Sequence, residues 1–130
     1  MTDSKRSTAE SRRVLLLAAH GSRLQSSNEE FERLAGQVRE RLPADYDHVA
    51  TAFLELSEPG IDSTLDQLVA EGASEIRVMP CFLLAGTHVR NDIPGIVEEA
   101  RARHPQVRIE LLSHLAADAG FVDYLTGLAS

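Results

Sequence analysis

The chain alternates short apolar runs with longer segments whose apolar residues recur every three or four positions. Residues 13–19 form a continuous aliphatic run, and residues 75–82 repeat its pattern; such runs are typical of parallel strands that are buried on both faces. Residues 49–54 and 107–112 are shorter apolar runs, which predict two further strands. The pattern therefore predicts four strands.

Four amphipathic helices are predicted after these strands. The first covers residues 28–42, begins at a cap provided by Ser26, Ser27 or Asn28, and stops at Pro43. Its apolar stripe consists of Phe31, Leu34, Ala35, Val38 and Leu42. The second covers residues 61–70 and ends at Gly72, a natural helix stop. The third begins at Ile93 with Asp92 as its N-cap, and the fourth covers residues 118–128. The inner face of the fourth is predicted to consist of Phe121, Val122, Leu125 and Leu128.

The predicted order is βαβαβαβα, which indicates an α/β fold with a four-stranded parallel sheet between two layers of helices. A flavodoxin-like three-layer sandwich with strand order 2-1-3-4 is the simplest arrangement of this kind. A chain of 130 residues suits one domain. We expect that domain to cover residues 13–130, after a polar, disordered leader at residues 1–12.

Composition excludes several partners. The net charge is −7, there is no tryptophan, and no Lys/Arg cluster lies outside the leader, so nucleic acid is not an expected partner. No apolar run approaches the ~20 residues that cross a bilayer, so no membrane partner is expected. Cys81 is the single cysteine and ends a buried-looking strand; we interpret it as a packed thiol of a cytoplasmic protein rather than as a metal ligand or nucleophile.

Two histidines occupy equivalent positions in the predicted sheet. His20 and His88 each follow an apolar strand and lie beside a glycine, and neighbouring strands are ~4.8 Å apart. Glu55 follows the second strand and ends at the same edge. Two imidazoles and a carboxylate suit divalent cobalt, iron, nickel or zinc, or acid/base chemistry. From spacing alone, a solvated loop carboxylate is the favoured interpretation of Glu55.

Other polar residues have weaker interpretations. His114 lies just past the fourth strand and is a candidate extra ligand, whereas His48 and His104 look like turn residues. Gly21 and Gly86 either adopt positive φ in turns or allow a flat ligand to approach the backbone. Neither a dinucleotide fingerprint nor a phosphate-binding loop is found, and Ser22 lacks the surroundings of a hydrolase nucleophile. Arg23 and Arg90 offer local positive charge to an anionic ligand.

Three segments together resemble a known family. They are His20-Gly-Ser-Arg23, Ala52-Phe-Leu-Glu55 with Pro59 following, and Pro80 to Pro94, which contains the pattern Gly-x-His-x-x-x-Asp-Ile-Pro. In this order, on these strands, they are similar to the signature segments of the class II chelatases of the CbiX/SirB type. The resemblance extends over residues 13–129 and implies a chelatase-like version of the predicted fold.

The resemblance implies insertion of Co²⁺ or Fe²⁺ into sirohydrochlorin without ATP, in cobalamin or siroheme biosynthesis. The metal, with Ni²⁺ as a further candidate, is then a substrate, and no permanently bound cofactor is expected. His20 and His88 are implied as metal ligands, with His20 also a general base, and Glu55 as a carboxylate that assists metal delivery or proton removal. The residues implied to contact the macrocycle are Ser57, Leu83, Leu84, Ala85, Gly86 and Thr87. The chain is similar to the small, single-domain form of the family, which acts as a homodimer.

Two alternatives remain open. The chain is also compatible with a non-catalytic metal-binding or metal-delivery protein that keeps the two-histidine site, and with a flavodoxin-like module that binds a planar cofactor. Two differences from relatives affect the site: His114 to Asp118 replace a common Leu-Gly motif, and Cys81 replaces an apolar residue.

Overall fold

The computed structural model describes residues 12–130, which are built around a central parallel sheet. The successive elements are β1 (Arg13–Ala19), α1 (Gln25–Arg41), β2 (His48–Phe53), α2 (Ile61–Ala70), β3 (Glu75–Pro80), α3 (Ile93–Arg103), β4 (Arg108–Leu111) and α4 (Ala119–Ala129). The strands pair in the order β2-β1-β3-β4, and every pair is parallel. The predicted α/β class and strand order are confirmed. The predicted leader falls almost entirely on residues 1–11, which lie outside the described residues.

Strand β1 is the centre of the core because both of its faces are covered. Its even-numbered residues pack with α2 and α3, in a cluster that includes Val14, Leu16, Leu65 and Val97. Its odd-numbered residues Leu15 and Leu17 pack under α1. Residues 14–18 are all at most 2% exposed, as expected for an aliphatic run between two layers of helices.

Helix α1 does not begin as predicted. It starts at Gln25 with Leu24 in the capping position, and no side chain caps it, so the prediction of Ser26, Ser27 or Asn28 as the cap was wrong. Asn28 is instead buried and turned toward the loops at the sheet edge. Leu34, placed on the apolar stripe, is 47% exposed and lies outside the core.

The prediction of Asp92 as an N-cap was also wrong. A five-residue π-helical turn, His88–Asp92, precedes α3 without a break, and Asp92 has helical backbone angles and caps nothing. Pro94 gives a physical reason for this wider turn. It has no N–H to donate to the carbonyl of Arg90, and its ring crowds that carbonyl in an ordinary α-helix.

Helix α4 lies outside the core. Asp118 caps it by accepting a hydrogen bond from the backbone N–H of Gly120 at 2.9 Å. No residue of the helix is buried, and Val122, Leu125 and Leu128 are 54%, 48% and 67% exposed. The prediction that these residues form an inner face is therefore wrong: in the single chain they do not pack on the sheet. None of the helices in residues 12–130 is long and apolar enough to cross a membrane.

Candidate metal centre

The loops after β1 and β2 continue the sheet pairing beyond the strands. The N–H of Leu54 donates to the carbonyl of Ala19 at 2.8 Å, and the N–H of Glu55 donates to the carbonyl of His20 at 3.0 Å. Because parallel pairing holds these backbones side by side, the side chains of His20 and Glu55 meet. His20 Nε2 lies 2.7 Å from Glu55 Oε2.

Gly21 makes this approach possible. Its φ is +98°, and a Cβ built on it would lie 1.9 Å from the carbonyl oxygen of Glu55. Of the two interpretations of Gly21, the turn with positive φ is therefore correct, and the close approach is to the Glu55 backbone. Gly86 has neither a positive φ nor a neighbour within 4 Å of its added Cβ.

His88 joins the pair from the π-helical turn after β3. The rings of His20 and His88 have centroids 4.9 Å apart, and the Phe82 ring lies 6.4 Å from His88. One ligand atom each from His20, Glu55 and His88 lies within 4.8 Å of the others, so all three reach a common point. The structure thus brings together the three residues on which the sequence-based interpretation depends.

This cluster can bind a divalent first-row metal. Two imidazole nitrogens and a carboxylate oxygen are suitable donors for cobalt, iron, nickel or zinc. The side chains of His20, Glu55 and His88 are 40%, 52% and 41% exposed, so an ion held there keeps open positions toward solvent. Open positions are a property of metal sites that exchange ligands, whereas structural sites are closed.

Asn28 connects two loops of the site, and sequence reasoning missed this role. It is 4% exposed; its side-chain oxygen accepts from the N–H of Ser22, and its amide donates to the carbonyl of Ser22 and to Ser57 Oγ. The signal was available, since Asn28 lies three and seven positions before the apolar residues Phe31 and Ala35 on the same helix face. A polar residue in that row is expected to find partners.

The predicted macrocycle contacts lie beside the cluster. Residues 83–87 connect β3 to His88, and Leu83 and Leu84 are 52% and 67% exposed at this edge. Arg90 donates from Nε to the carbonyl of Ala85 at 2.9 Å, which braces this loop. Ser57 lies two residues after Glu55 and is bonded to Asn28.

The other candidates are separate from the three-residue cluster. Among residues 12–130, neither His114 nor Cys81 contributes to it. Cys81 packs with the core under α1, and burial raises the pKa of its thiol to about 11, as expected for an inert packed cysteine. His104, which follows α3, is bonded to Asp66 of α2 at 2.7 Å, and Ser22 Oγ accepts from the N–H of Leu24.

Comparison with known proteins identifies the family. The profile of the CbiX family matches residues 14–128, nearly the whole chain. The chain belongs to the CbiX family. The resemblance found in the sequence is therefore confirmed.

Relatives of this CbiX-family chain carry two related names. It is 40% identical, over 65% of its length, to the sirohydrochlorin cobaltochelatase of Methanococcus aeolicus, of which it covers 57%. It is 31% identical, over 75% of its length, to the sirohydrochlorin ferrochelatase of Bacillus subtilis, of which it covers 37%. The chain thus spans between about a third and three fifths of these two relatives.

Solved structures of CbiX and SirB proteins have the same fold as this chain. A CbiX protein from Marinobacter aquaeolei VT8 has a TM-score of 0.75 at 30% identity, covering 90% of this chain and 93% of that one. The sirohydrochlorin chelatase SirB from Bacillus subtilis subspecies spizizenii, in complex with cobalt, has a TM-score of 0.78 at 28% identity, covering 89% of this chain and 49% of that one. The predicted chelatase-like fold is confirmed.

Proposed function

We propose that this CbiX-family chain is a sirohydrochlorin chelatase that inserts Co²⁺ or Fe²⁺ into the tetrapyrrole without ATP, in cobalamin or siroheme biosynthesis. One observation carries the proposal: the side chains of His20, Glu55 and His88 meet at the carboxyl edge of the sheet in a chain of this family. The names of its relatives support the substrate, since they are sirohydrochlorin cobaltochelatases and ferrochelatases.

The metal is a substrate in this reaction, and two histidines hold it. His20 and His88 bind the incoming ion through imidazole nitrogen while it sheds water. Their partial exposure leaves the opposite side of the ion free to face the ring. Binding of this kind orients the ion and requires no change of its oxidation state.

Proton removal is the second requirement. A divalent ion replaces two pyrrole N–H protons, so the macrocycle releases two protons for each metal that enters. Glu55 Oε2 lies 2.7 Å from His20 Nε2, and both side chains are partly exposed. Glu55 can therefore accept one proton while His20 holds the ion, and His20 can accept the other once the ion has passed to the ring; each can then release its proton to water. We assign proton removal to this pair.

The macrocycle lies against the loop before His88. Leu83 and Leu84 present exposed apolar side chains there, and Ala85, Gly86, Thr87 and Ser57 complete the contact surface. The carboxylates of the substrate require cationic donors on an acidic protein. Arg23 and Arg90 are the exposed cations nearest to the site in sequence, and Arg90 is already anchored at Ala85.

We further propose that the chain works as a homodimer in the cytoplasm. Helix α4 exposes Val122, Leu125 and Leu128 beside an open groove of about 670 Å³. A second copy of the chain, packed on α4, would bury this surface. Leu125→Glu is expected to shift sedimentation from dimer to monomer, and a wild-type chain that sediments as a monomer would contradict the proposal. A single cysteine, which cannot form an internal disulfide, is compatible with the cytoplasm.

The test is the absorbance change when sirohydrochlorin is mixed with the protein and Co²⁺, Fe²⁺ or Ni²⁺. We expect a rate above the protein-free background, a loss of at least ~100-fold in His20→Ala and His88→Ala, and a smaller loss in Glu55→Gln. His48→Ala is the matched control, because His48 lies outside the cluster. Metal binding through these histidines with no acceleration would refute chelatase activity and favour a metal-delivery protein.

A further inference from the structure

Asp92 forms a direct bond with one of the two site histidines. His88 Nδ1 lies 2.6 Å from Asp92 Oδ2, across the π-helical turn that these two residues begin and end. The N–H of Ile93 donates to the carbonyl of His88, which closes the turn. Asp92 caps no helix, so helix capping does not explain the position of its side chain.

The two histidines meet their carboxylates at different nitrogens. At His20 the carboxylate of Glu55 lies at Nε2, the nitrogen farther from the backbone. At His88 the carboxylate of Asp92 lies at Nδ1, so Nε2 of His88 has no hydrogen-bond partner among residues 12–130. A neutral imidazole that donates Nδ1–H carries its lone pair on Nε2, which is the nitrogen then available to a metal.

Other rings restrict the same imidazole. Phe82 and His20 lie 6.4 Å and 4.9 Å from the His88 ring, measured between ring centroids, and the bond to Asp92 defines a third direction. A 180° flip about the Cβ–Cγ bond would exchange Nδ1 with Cδ2 and Nε2 with Cε1, and would turn Nε2 away from its present direction. A fixed acceptor at Nδ1 opposes this flip.

We propose that Asp92 is a positioning residue that holds His88 in the Nδ1–H tautomer, with Nε2 directed to the incoming metal. The inference rests on the proposed function, since it assigns His88 as a ligand of the metal substrate. Asp92 itself contacts neither metal nor macrocycle. Carboxylate partners of metal-binding histidines commonly contribute 10–100-fold to metal affinity.

The chain provides a matched control for a variant at Asp92. His104, which follows α3, also forms a histidine–carboxylate bond: its Nε2 lies 2.7 Å from Asp66 Oδ1, and neither residue belongs to the three-residue cluster. Asp66→Ala therefore removes a carboxylate from a histidine without touching the cluster. Asp92→Asn is the conservative variant, because its amide oxygen can still accept Nδ1–H, whereas Asp92→Ala cannot.

The first readout is the tautomer of His88 in metal-free protein, taken from two-bond ¹H–¹⁵N correlations of the histidine rings. The spectra are recorded at a pH of about 8.5, two units above the ordinary imidazole pKa of ~6.5. We expect Nδ1–H in the wild type and in Asp92→Asn, and a shift toward Nε2–H, the form that a free histidine side chain prefers, in Asp92→Ala. Asp66→Ala is expected to leave the His88 signals unchanged.

The second readout is Co²⁺ affinity, measured by calorimetric titration without tetrapyrrole. We expect a loss of about 10-fold or more in Asp92→Ala, a smaller loss in Asp92→Asn, and no change in Asp66→Ala. An unchanged His88 tautomer in Asp92→Ala, or a Kd within twofold of wild type, would overturn the inference. If Asp92→Ala does not fold, Asp92→Asn decides by its Co²⁺ affinity: a weaker affinity than wild type supports the inference, and a Kd within twofold of wild type overturns it.

These readouts separate the inference from the proposed function. Neither uses sirohydrochlorin, so a protein that binds Co²⁺ through His88 with an affinity that depends on Asp92, but does not accelerate chelation, supports the inference and contradicts the function. A protein that chelates while Asp92→Ala keeps both tautomer and affinity contradicts the inference alone.

Discussion

Replacement of Gly21 by alanine is expected to damage the metal centre through the backbone alone. The added Cβ would lie 1.9 Å from the carbonyl oxygen of Glu55. That oxygen must retreat by about 1.1 Å to reach 3.0 Å, the distance below which real Cβ contacts essentially do not occur. The shift would pull Glu55 away from His20, whose carbonyl now accepts the N–H of Glu55 at 3.0 Å.

Gly72→Ala is a control that separates the backbone strain of positive φ from the steric collision. Its φ of +102° nearly equals the +98° of Gly21, but nothing lies within 4 Å of its added Cβ. Gly72→Ala therefore has the cost of positive φ alone, about 1–2 kcal/mol. Gly21→Ala has that cost together with the collision, and we expect it to destabilise the fold by about 3 kcal/mol or more.

The assays are urea unfolding, Co²⁺ titration and the chelation rate. A misplacement of ~1 Å at a reacting group can reduce the rate by ~100-fold, which is the loss expected for Gly21→Ala. Gly72→Ala is expected to retain the wild-type metal affinity and rate. The reasoning is refuted if Gly21→Ala unfolds like Gly72→Ala and binds Co²⁺ as the wild type does.

Three further predictions concern neighbouring parts of the fold. Asn28→Ala removes a buried side chain that is hydrogen-bonded to Ser22 and Ser57. We expect the unfolding free energy measured in urea to fall by about 2 kcal/mol and Co²⁺ binding to weaken. Unchanged stability would contradict the role of Asn28 in connecting the two loops. The hydrogen bond from His104, with a smaller contribution from Arg103, lowers the pKa of Asp66 below its ordinary 3.8. The ionised Asp66 carboxylate therefore stabilises the fold above pH ~3.8, and this contribution to the unfolding free energy is lost as the pH falls through the lower pKa of the folded state. Asp66→Asn should therefore differ less from wild type at pH ~3 than at pH ~7, and equal differences would argue against the assignment. Because burial raises the pKa of Cys81 to about 11, its reaction with a thiol reagent at pH ~8 should be far slower in native than in unfolded protein, and equal rates would indicate an accessible thiolate.

The main outline of the site follows from topology and was predictable. Parallel strands end at one edge of the sheet, so residues just past β1, β2 and β3 must lie near each other. The order β2-β1-β3-β4 puts β1 between the other two, which explains why His20 contacts both Glu55 and His88. Hydrophobic pattern and chain order were sufficient for that step.

The supporting residues were not predictable in the same way. Asn28 and Asp92 both stand among polar residues ahead of an apolar helical stripe, where capping is the usual role of such side chains. Which bond an amide or carboxylate makes depends on loops that are distant in sequence, as with Asn28 and Ser57. The error at α4 is similar, since an apolar helix face does not reveal whether its own sheet or another molecule will cover it.

The three side chains of the candidate metal centre all belong to one chain. Its three side chains follow β1, β2 and β3, while the exposed apolar face of α4 comes after β4. In the proposed dimer, each subunit then carries all three of these side chains. If the two sites of the proposed dimer act separately, we expect mixed dimers of a His20→Ala subunit with a His88→Ala subunit to show no complementation of activity, because each subunit then lacks one of its own histidines.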